Sequence, residues 1–204
     1  MAKASDGRRG RGRPSAGARE ALVAAAHELF LGHDYDDVST AQILDRSGVS
    51  RGALYHHFPS KLDLFRAVYE ASERRLVEQI AGEALTATTP FGGLLAASRA
   101  YLRRCETDEA FIRINLIQSR AVLGWERWRA VATDLGIGLA LAAVTAAIEA
   151  GELPPLEPET LAIVLLGALI EAAMLIATTP ADDRLAARER SEAVIVDLLE
   201  GLRR

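Results

Sequence analysis

The sequence predicts an all-α protein with a small N-terminal three-helix unit and a larger C-terminal helical domain. Apolar residues recur at helical spacings of three and four along most of the chain, and alternating strand patterns are few. Proline and glycine fall at the joints between these periodic segments. With 204 residues and 50% hydrophobic content, the chain is long enough to bury a core in each unit.

The first of these elements is an apolar helical pattern over Leu22–Phe30, and Thr40–Lys61 then predicts two short helices joined by a tight turn. Leu54 and Phe58 give the second of the two an apolar stripe at i and i+4, which must pack across its neighbour. Gly48 stands where a helix ends in the left-handed conformation, and Ser50 is placed to cap the helix that follows. The turn is therefore expected to be sharp and fixed.

The outer face of that second helix carries polar and small side chains that no core requires. They are Arg51, Gly52, Ala53, Tyr55, His56 and His57. Hydrogen-bonding tips beside small residues that permit close approach are typical of a helix that reads the DNA major groove. A helical hairpin with a merely solvated polar face is the alternative.

The rest of the chain predicts one helix after another. The predicted helices are Lys61–Ala81 opened by Ser60 and Asp63, Phe91–Cys105, Glu109–Val122 capped by Asp108, Trp125–Ala150, Glu159–Ala177 and Asp182–Leu202. Gly136 and Gly138 are placed to kink the long fourth helix of this series. The apolar run Leu161–Ala177 has only 17 residues and contains Glu171, which favours a buried helix over a membrane span.

Charge is distributed unevenly along a chain whose formal net charge is −4. Residues 1–75 carry 12 basic and 10 acidic side chains, whereas the remainder carries 12 and 18. We expect a disordered basic arm over residues 1–14 whose Arg11 and Arg13 meet phosphate or a minor groove, with a functionless tail as the alternative. The apolar run after this arm is not an export signal, because His27 and Glu28 interrupt it.

The segment Arg19–Leu64 resembles the DNA-binding domain of the tetracycline-repressor (TetR) family of bacterial transcription regulators. The resemblance is carried by LVAAAHELF from Leu22, by Ser39 and Thr40 with Ile43, and by GVSRGALYHHF from Gly48 with Lys61 and Leu64. Three residues depart from the usual family pattern, namely Asp34 in place of glycine and Leu44 and Ser47 in place of alanine. Asp tolerates the left-handed conformation, so Asp34 is chemically acceptable, and Leu44 must be absorbed by local repacking. We expect a slightly altered helix angle at most.

The resemblance implies a cytoplasmic bacterial DNA-binding regulator without enzymatic activity, divided into a DNA-binding domain over 15–65 and a ligand-binding and dimerisation domain over 66–204. Arg51 is the preferred base reader, and Ala53 is placed to touch a thymine methyl group. Thr40, His57 and Lys61 resemble the family's backbone-contacting positions. The complete expected set of DNA contacts is Thr40, Ala41, Ser50, Arg51, Gly52, Ala53, Tyr55, His56, His57, Lys61, Arg11 and Arg13.

The middle helices are expected to surround a small-molecule pocket, since their pattern mixes apolar surface with neutral polar tips. The candidate pocket residues are Tyr101, Cys105, Phe111, Ile114, Asn115, Gln118, Trp125 and Trp128. Ordinary core packing is the alternative for each. Cys105, flanked by Arg103 and Arg104, is either a redox-sensing thiol or a small core residue.

The last two helices are the candidates for self-association, because the first of them is apolar nearly all round and needs cover on two sides. The predicted dimer contacts are Leu161, Leu165, Ala168, Leu169, Ala172, Leu175, Val194, Leu198 and Leu202. Two copies would form a four-helix bundle, with burial inside one subunit as the alternative.

The resulting hypothesis is a homodimeric repressor released from a palindromic operator when a small apolar ligand tilts the helix Lys61–Ala81. A ligand-independent activator or architectural protein, and a ligand-sequestering helical dimer, are the alternatives. No glycine-rich phosphate loop or nucleophile elbow is present in the sequence. The four histidines lack chelating partners at metal-binding spacing, so we expect neither a metal nor another cofactor.

Overall fold

The computed structural model describes residues 16–203, and this range is helical between short connections, which confirms the all-α prediction. The N-terminal unit contains α1 (Ala16–Gly32), a 3₁₀ turn (Tyr35–Asp37), α2 (Thr40–Ser47) and α3 (Arg51–His57). The predicted basic arm over 1–14, with Arg11 and Arg13, lies outside the described residues.

The larger C-terminal unit follows the predicted order of helices. Its elements are α4 (Lys61–Ala84), α5 (Pro90–Thr107), α6 (Glu109–Phe111), a π-helical segment (Ile112–Gln118), α7 (Ser119–Leu123), α8 (Trp125–Glu149), α9 (Pro158–Thr178), a 3₁₀ turn (Ala181–Asp183) and α10 (Arg184–Leu202). The helix α8 continues through Gly136 and Gly138 without interruption. The helix α4 runs across the predicted domain boundary at residue 65, so one rigid element belongs to both units.

Local capping chemistry sets the geometry of the helix-turn-helix. The side chains of Ser39 and Gln42 form a reciprocal capping box at the start of α2. Gly48 ends α2 with φ of 65°, and the hydroxyl oxygen of Ser50 accepts a hydrogen bond from the backbone N–H of Ala53. The predicted glycine corner and serine cap are both confirmed.

Asp34 does not use the left-handed conformation that its residue type would tolerate. Its backbone is extended, with φ of −72° and ψ of 156°, and positive φ among the described residues occurs only at glycines. The chain turns after α1 through the 3₁₀ segment instead of through a left-handed residue. The Asp34 carboxylate accepts a hydrogen bond from Arg113 at 2.7 Å, so this residue connects the N-terminal unit to the π-helical segment.

Two cores meet along α4. Phe30, Tyr35 and Phe65 pack edge-on or stacked beneath the helix-turn-helix, with centroids 4.9 Å apart for Phe30 and Phe65. Further along α4, Tyr69 is fully buried and its hydroxyl donates to the backbone carbonyl of Trp128 at 3.1 Å. The helix α5 forms the centre of the larger unit, packed against α4, α8, α9 and α10.

Two helices, α8 and α9, are long and apolar enough to cross a membrane by length and composition alone. The sequence had drawn attention only to the second. In this fold both helices pack against each other and against α5. Packing against other helices explains the apolar residues on one face of α8 and on one face of α9.

Candidate DNA-binding surface and ligand cavity

The reading face of α3 is open to solvent. Arg51, Gly52, Tyr55 and His56 are exposed, whereas Leu54 from the same helix is buried against the core. Arg51 takes part in no ion pair or hydrogen bond among the described residues, so its guanidinium is available to a partner. The helix therefore presents a free arginine, a tyrosine and a histidine beside a glycine that permits close approach.

The flanking candidates differ in what they offer to DNA. Ala41 and Ser50 are exposed, and Thr40 and Ala53 are half-buried. The hydroxyl oxygen of Ser50 accepts the hydrogen bond that caps α3. The Nε2 atom of His57 is buried without a hydrogen-bond partner, and the ring lies beside Phe58. This nitrogen does not reach solvent, while the residue as a whole is half-buried, and its DNA-backbone contact stays a prediction.

Lys61 makes a structural contact within the subunit. Its ammonium donates to the carbonyl oxygens of Tyr35 at 2.8 Å and Val38 at 3.0 Å, and lies 4.0 Å from the centroid of the Tyr35 ring. Two of its three N–H donors are therefore engaged in charge-assisted hydrogen bonds. These bonds fix the start of α4 to the turn after α1, and the phosphate contact stays a prediction.

A cavity of about 80 Å³ lies in the C-terminal unit between α4, α5, α8 and α9. Its wall is almost entirely apolar, with Leu76, Leu94, Leu139 and Leu169 among the lining residues. The exceptions are Glu73, Ser98 and Tyr101. A largely apolar concave space with a few polar groups is the usual form of a small-molecule site.

Most residues predicted to line the pocket lie elsewhere. Tyr101 lines the cavity, but the other seven do not. Phe111 and Ile114 are core residues, and Trp125 is partly exposed beside Arg120 and Arg129. Cys105, Asn115, Gln118 and Trp128 are buried, but none of them lines the cavity. Helical spacing identified a face that packs, without distinguishing a packed core from a cavity wall.

The polar members of the predicted pocket connect elements of the fold. The Nε2 of Gln118 donates to the carbonyl oxygens of Phe30 at 3.1 Å and His33 at 3.2 Å, at the end of α1. The side chain of Asn115 donates to Glu73, and Trp128 donates through Nε1 to the backbone oxygen of Asn115 at 2.7 Å. The π-helical segment that carries Gln118 and Asn115 thus touches both the DNA-binding unit and the cavity wall.

Cys105 behaves as a core residue. It has no solvent exposure, and burial raises the pKa of its thiol well above the ordinary value. The neighbouring arginines are bound elsewhere, Arg103 to Glu83 and Arg104 to Asp108. The redox-sensor alternative lacks both of its requirements, an accessible sulfur and a stabilised thiolate.

The apolar outer face of the last two helices differs in detail from the predicted stripe. Leu165 is buried within the subunit and Leu169 lines the cavity, while Leu161, Ala168, Ala172 and Leu202 are half-buried. Large side chains left exposed on these helices are Leu185 near the start of α10 and a further set, Ile163, Val164, Leu175, Val194 and Leu198. Of the predicted contacts, Leu175, Val194 and Leu198 belong to this further set, which we term the outer stripe.

Glu73 is a charged residue of the cavity wall that the sequence analysis did not identify. It occupies a buried position in α4, four residues after Tyr69 and three before Leu76, both of which are also buried. An acidic residue inside an otherwise apolar helix face was the available signal.

Within residues 16–203, no group of three or more His, Cys, Asp or Glu side chains is arranged to hold a metal ion.

Comparison with known proteins identifies the family of the chain. The family described as bacterial regulatory proteins of the tetR family matches residues 22–68, and the tetracyclin repressor-like C-terminal domain matches residues 91–202. A crystal structure of a TetR-family regulator from Pectobacterium atrosepticum is 30% identical, with a TM-score of 0.78 over 90% of this chain and 93% of that one.

Two curated relatives match over shorter stretches. The transcriptional activator FasR of Mycolicibacterium smegmatis is 35% identical over 54% of this chain and 51% of its own length. The transcriptional repressor BepR of Brucella suis is 40% identical over 24% of each chain. These alignments span about half or less of the relatives' lengths. Because the C-terminal family match alone covers more than half of the sequence, the chain belongs to the TetR family of transcriptional regulators, which are non-enzymatic DNA-binding proteins.

Proposed function

We propose that this regulator is a cytoplasmic homodimeric repressor that leaves a palindromic operator when a small apolar ligand enters the cavity between α4, α5, α8 and α9. The observation that carries the proposal is the extent of α4. This single helix begins directly after the reading helix, and its middle turns provide Glu73, Leu76 and Ile80 to the cavity wall. A ligand that moves the wall must act on the element that positions α3.

The proposed direction of control depends on size. A ligand too bulky for the existing space would separate α4 from α8 or α9, which line the cavity with it. Two hydrogen bonds hold Lys61, at the start of α4, to the turn after α1. A tilt of α4 would therefore carry the helix-turn-helix with it, and ligand and operator would favour different positions of α4.

Dimerisation supplies the palindrome. In a two-fold dimer the outer stripe of one subunit would meet the same stripe of its partner, and each subunit would present one α3. Helices that enter successive major grooves on one face of DNA lie about 34 Å apart. A ligand that changes this separation in both subunits would weaken binding to both half-sites together.

An activator is the second candidate, supported by the match to FasR, whose name describes an activator. Selection from random duplex DNA with the purified full chain tests the proposal first. We expect an inverted repeat, and enrichment of a single unrepeated half-site would contradict it. Placing the selected sequence over or upstream of a promoter then separates the two candidates, because a repressor lowers reporter output in cells and an activator raises it.

A further inference from the structure

The cavity contains one acidic side chain and no compensating cation. Glu73 is 7% exposed and lies in a wall to which, among the described residues, no lysine, arginine or histidine contributes. Ser98 is already engaged, because its hydroxyl donates to the carbonyl oxygen of Leu94 at 2.8 Å. Glu73 is therefore the strongest hydrogen-bond acceptor available to a molecule in this space.

The surroundings of Glu73 leave one carboxyl oxygen unused. Asn115 donates through Nδ2 to Oε1 of Glu73 at 2.8 Å, and Ser72 donates to Oδ1 of the same amide at 2.8 Å. The amide nitrogen of Asn115 thus lies on the side of the carboxyl group, and its oxygen lies on the side of Ser72. Across the described part of the chain, Oε2 of Glu73 has no hydrogen-bond partner, so a donor on a ligand can take it.

Glu73 is also the group that changes charge near neutral pH. Burial raises its pKa to about 7, against the opposing effect of the bond from Asn115. The neighbouring acids are Tyr69 on α4 and Tyr101 and Cys105 on α5, and burial raises the pKa of each beyond the neutral range. The lining residues from α8 and α9 are uncharged.

We propose that the ligand of this cavity is a small apolar molecule bearing a cationic amine, which pairs with the Glu73 carboxylate. This inference rests on the proposed function, since it takes the cavity as the ligand site. A buried carboxylate is stabilised by an opposite charge at close range and strongly disfavoured beside a second negative charge. The same apolar body with a carboxylate head should therefore be rejected, and an alcohol head should gain only a neutral hydrogen bond.

Three probes with one ring and different head groups test this preference, namely benzylamine, benzyl alcohol and benzoate. Their binding to the full chain is measured by calorimetry at pH 8. An opposite charge at close range lowers the pKa of a carboxyl group by about one unit or more, which corresponds to about tenfold or more in affinity for the charged partner. We therefore expect benzylamine to bind at least about tenfold more tightly than benzyl alcohol. Benzoate should bind weakest.

The variant Glu73→Gln keeps the shape and removes the charge, and Glu78→Gln on the exposed side of α4 is the matched control. We expect Glu73→Gln to abolish the preference for the amine and Glu78→Gln to retain it. The affinity of the unmodified protein for benzylamine should rise about tenfold from pH 6 to pH 8, because the ionised fraction of Glu73, with a pKa of about 7, rises by that factor. Benzyl alcohol should show no such rise.

The outcomes separate this inference from the proposed function. If benzyl alcohol binds as tightly as benzylamine, or if Glu73→Gln keeps the amine preference, the cavity is a ligand site but the amine assignment is wrong. If none of the three probes binds, both the assignment and the cavity as a ligand site are contradicted. Circular dichroism of each variant shows whether it is folded, and the comparison of head groups in the unmodified protein needs no variant.

Discussion

Arg51 is the residue at which sequence recognition should be most concentrated. Its guanidinium is exposed and makes no ion pair in the described range, and Gly52 beside it permits close approach of α3 to the DNA. A bidentate contact with guanine is worth about 1 to 3 kcal/mol of discrimination. We expect Arg51→Ala to lose about that much operator affinity and to relax the base preference at one position of each half-site.

The matched control is Arg66→Ala, which removes the same charge from an exposed position of α4 where the side chain already binds Glu70. Affinities for the selected operator and for random DNA are measured by fluorescence anisotropy at one salt concentration. If Arg51→Ala weakens both DNAs equally, the residue contacts phosphate and does not read a base.

Lys61 leads to a prediction about the stability of the fold, whereas Arg51 leads to one about DNA affinity. Substitution by alanine leaves the carbonyl oxygens of Tyr35 and Val38 without their donor, and a hydrogen bond to a charged group is worth about 1.5 to 3 kcal/mol. We expect Lys61→Ala to lower the free energy of unfolding in urea by about 2 kcal/mol. If Lys61→Ala leaves the unfolding midpoint unchanged and makes the salt dependence of DNA binding shallower, Lys61 contacts phosphate instead of stabilising the fold.

At this scale the sequence predicts local chemistry well and distant partners poorly. The glycine at the end of α2 and the serine cap of α3 depend on neighbours within a few positions, and both were predictable. Lys61 and Gln118 bind carbonyl groups 23 to 88 residues away, which no local pattern reveals. Their side chains looked like contacts for ligands because their intramolecular partners could not be identified.

At the scale of elements, helix order and approximate ends were predictable because apolar periodicity and caps specify them. The π-helical segment Ile112–Gln118 was not, since its residues have the same apolar spacing as an α-helix. This segment places Asn115 against Glu73 and Gln118 against the end of α1. The cavity was also unpredictable, because it depends on how four helices are spaced and not on the pattern of any one.

The proposed coupling through α4 can be tested without a ligand by filling the cavity from α8. Ala140 lines the cavity, and a phenylalanine ring there would occupy the existing space and press on the helices that face α8, as we propose for a ligand. We expect Ala140→Phe to lower operator affinity by about 5-fold or more, the usual lower range of allosteric coupling.

Ala142→Phe, two residues along at an exposed position of the same helix, is the matched control and should bind the operator normally. Anisotropy titrations measure both variants, and sedimentation checks that neither changes its oligomeric state. Normal operator binding by a folded Ala140→Phe protein would show that the cavity wall and the α3 helices of the dimer are not coupled.

At the scale of the whole molecule, the outer stripe is the largest feature that a single subunit leaves unexplained. Val164, Leu175, Val194 and Leu198 are each more than half exposed on two adjacent helices. Large apolar side chains exposed together on adjacent helices favour the proposed dimer interface. The sequence predicted the helices but only part of the face, because both sides of α9 are apolar and only the packed structure shows which side the subunit itself covers.

The two-fold symmetry proposed for the dimer makes one substitution count twice, because each subunit presents the same stripe to its partner. Leu198→Glu would place two carboxylates in one apolar interface, and each buried ion costs several kcal/mol without a counter-charge. We expect the variant to sediment as a monomer at micromolar concentration and to lose operator binding while it retains half-site contacts at high protein concentration. Leu85→Glu, at a position that is 86% exposed after α4, is the control and should remain dimeric. A Leu198→Glu protein that stays dimeric and binds the operator normally would place the interface on another surface.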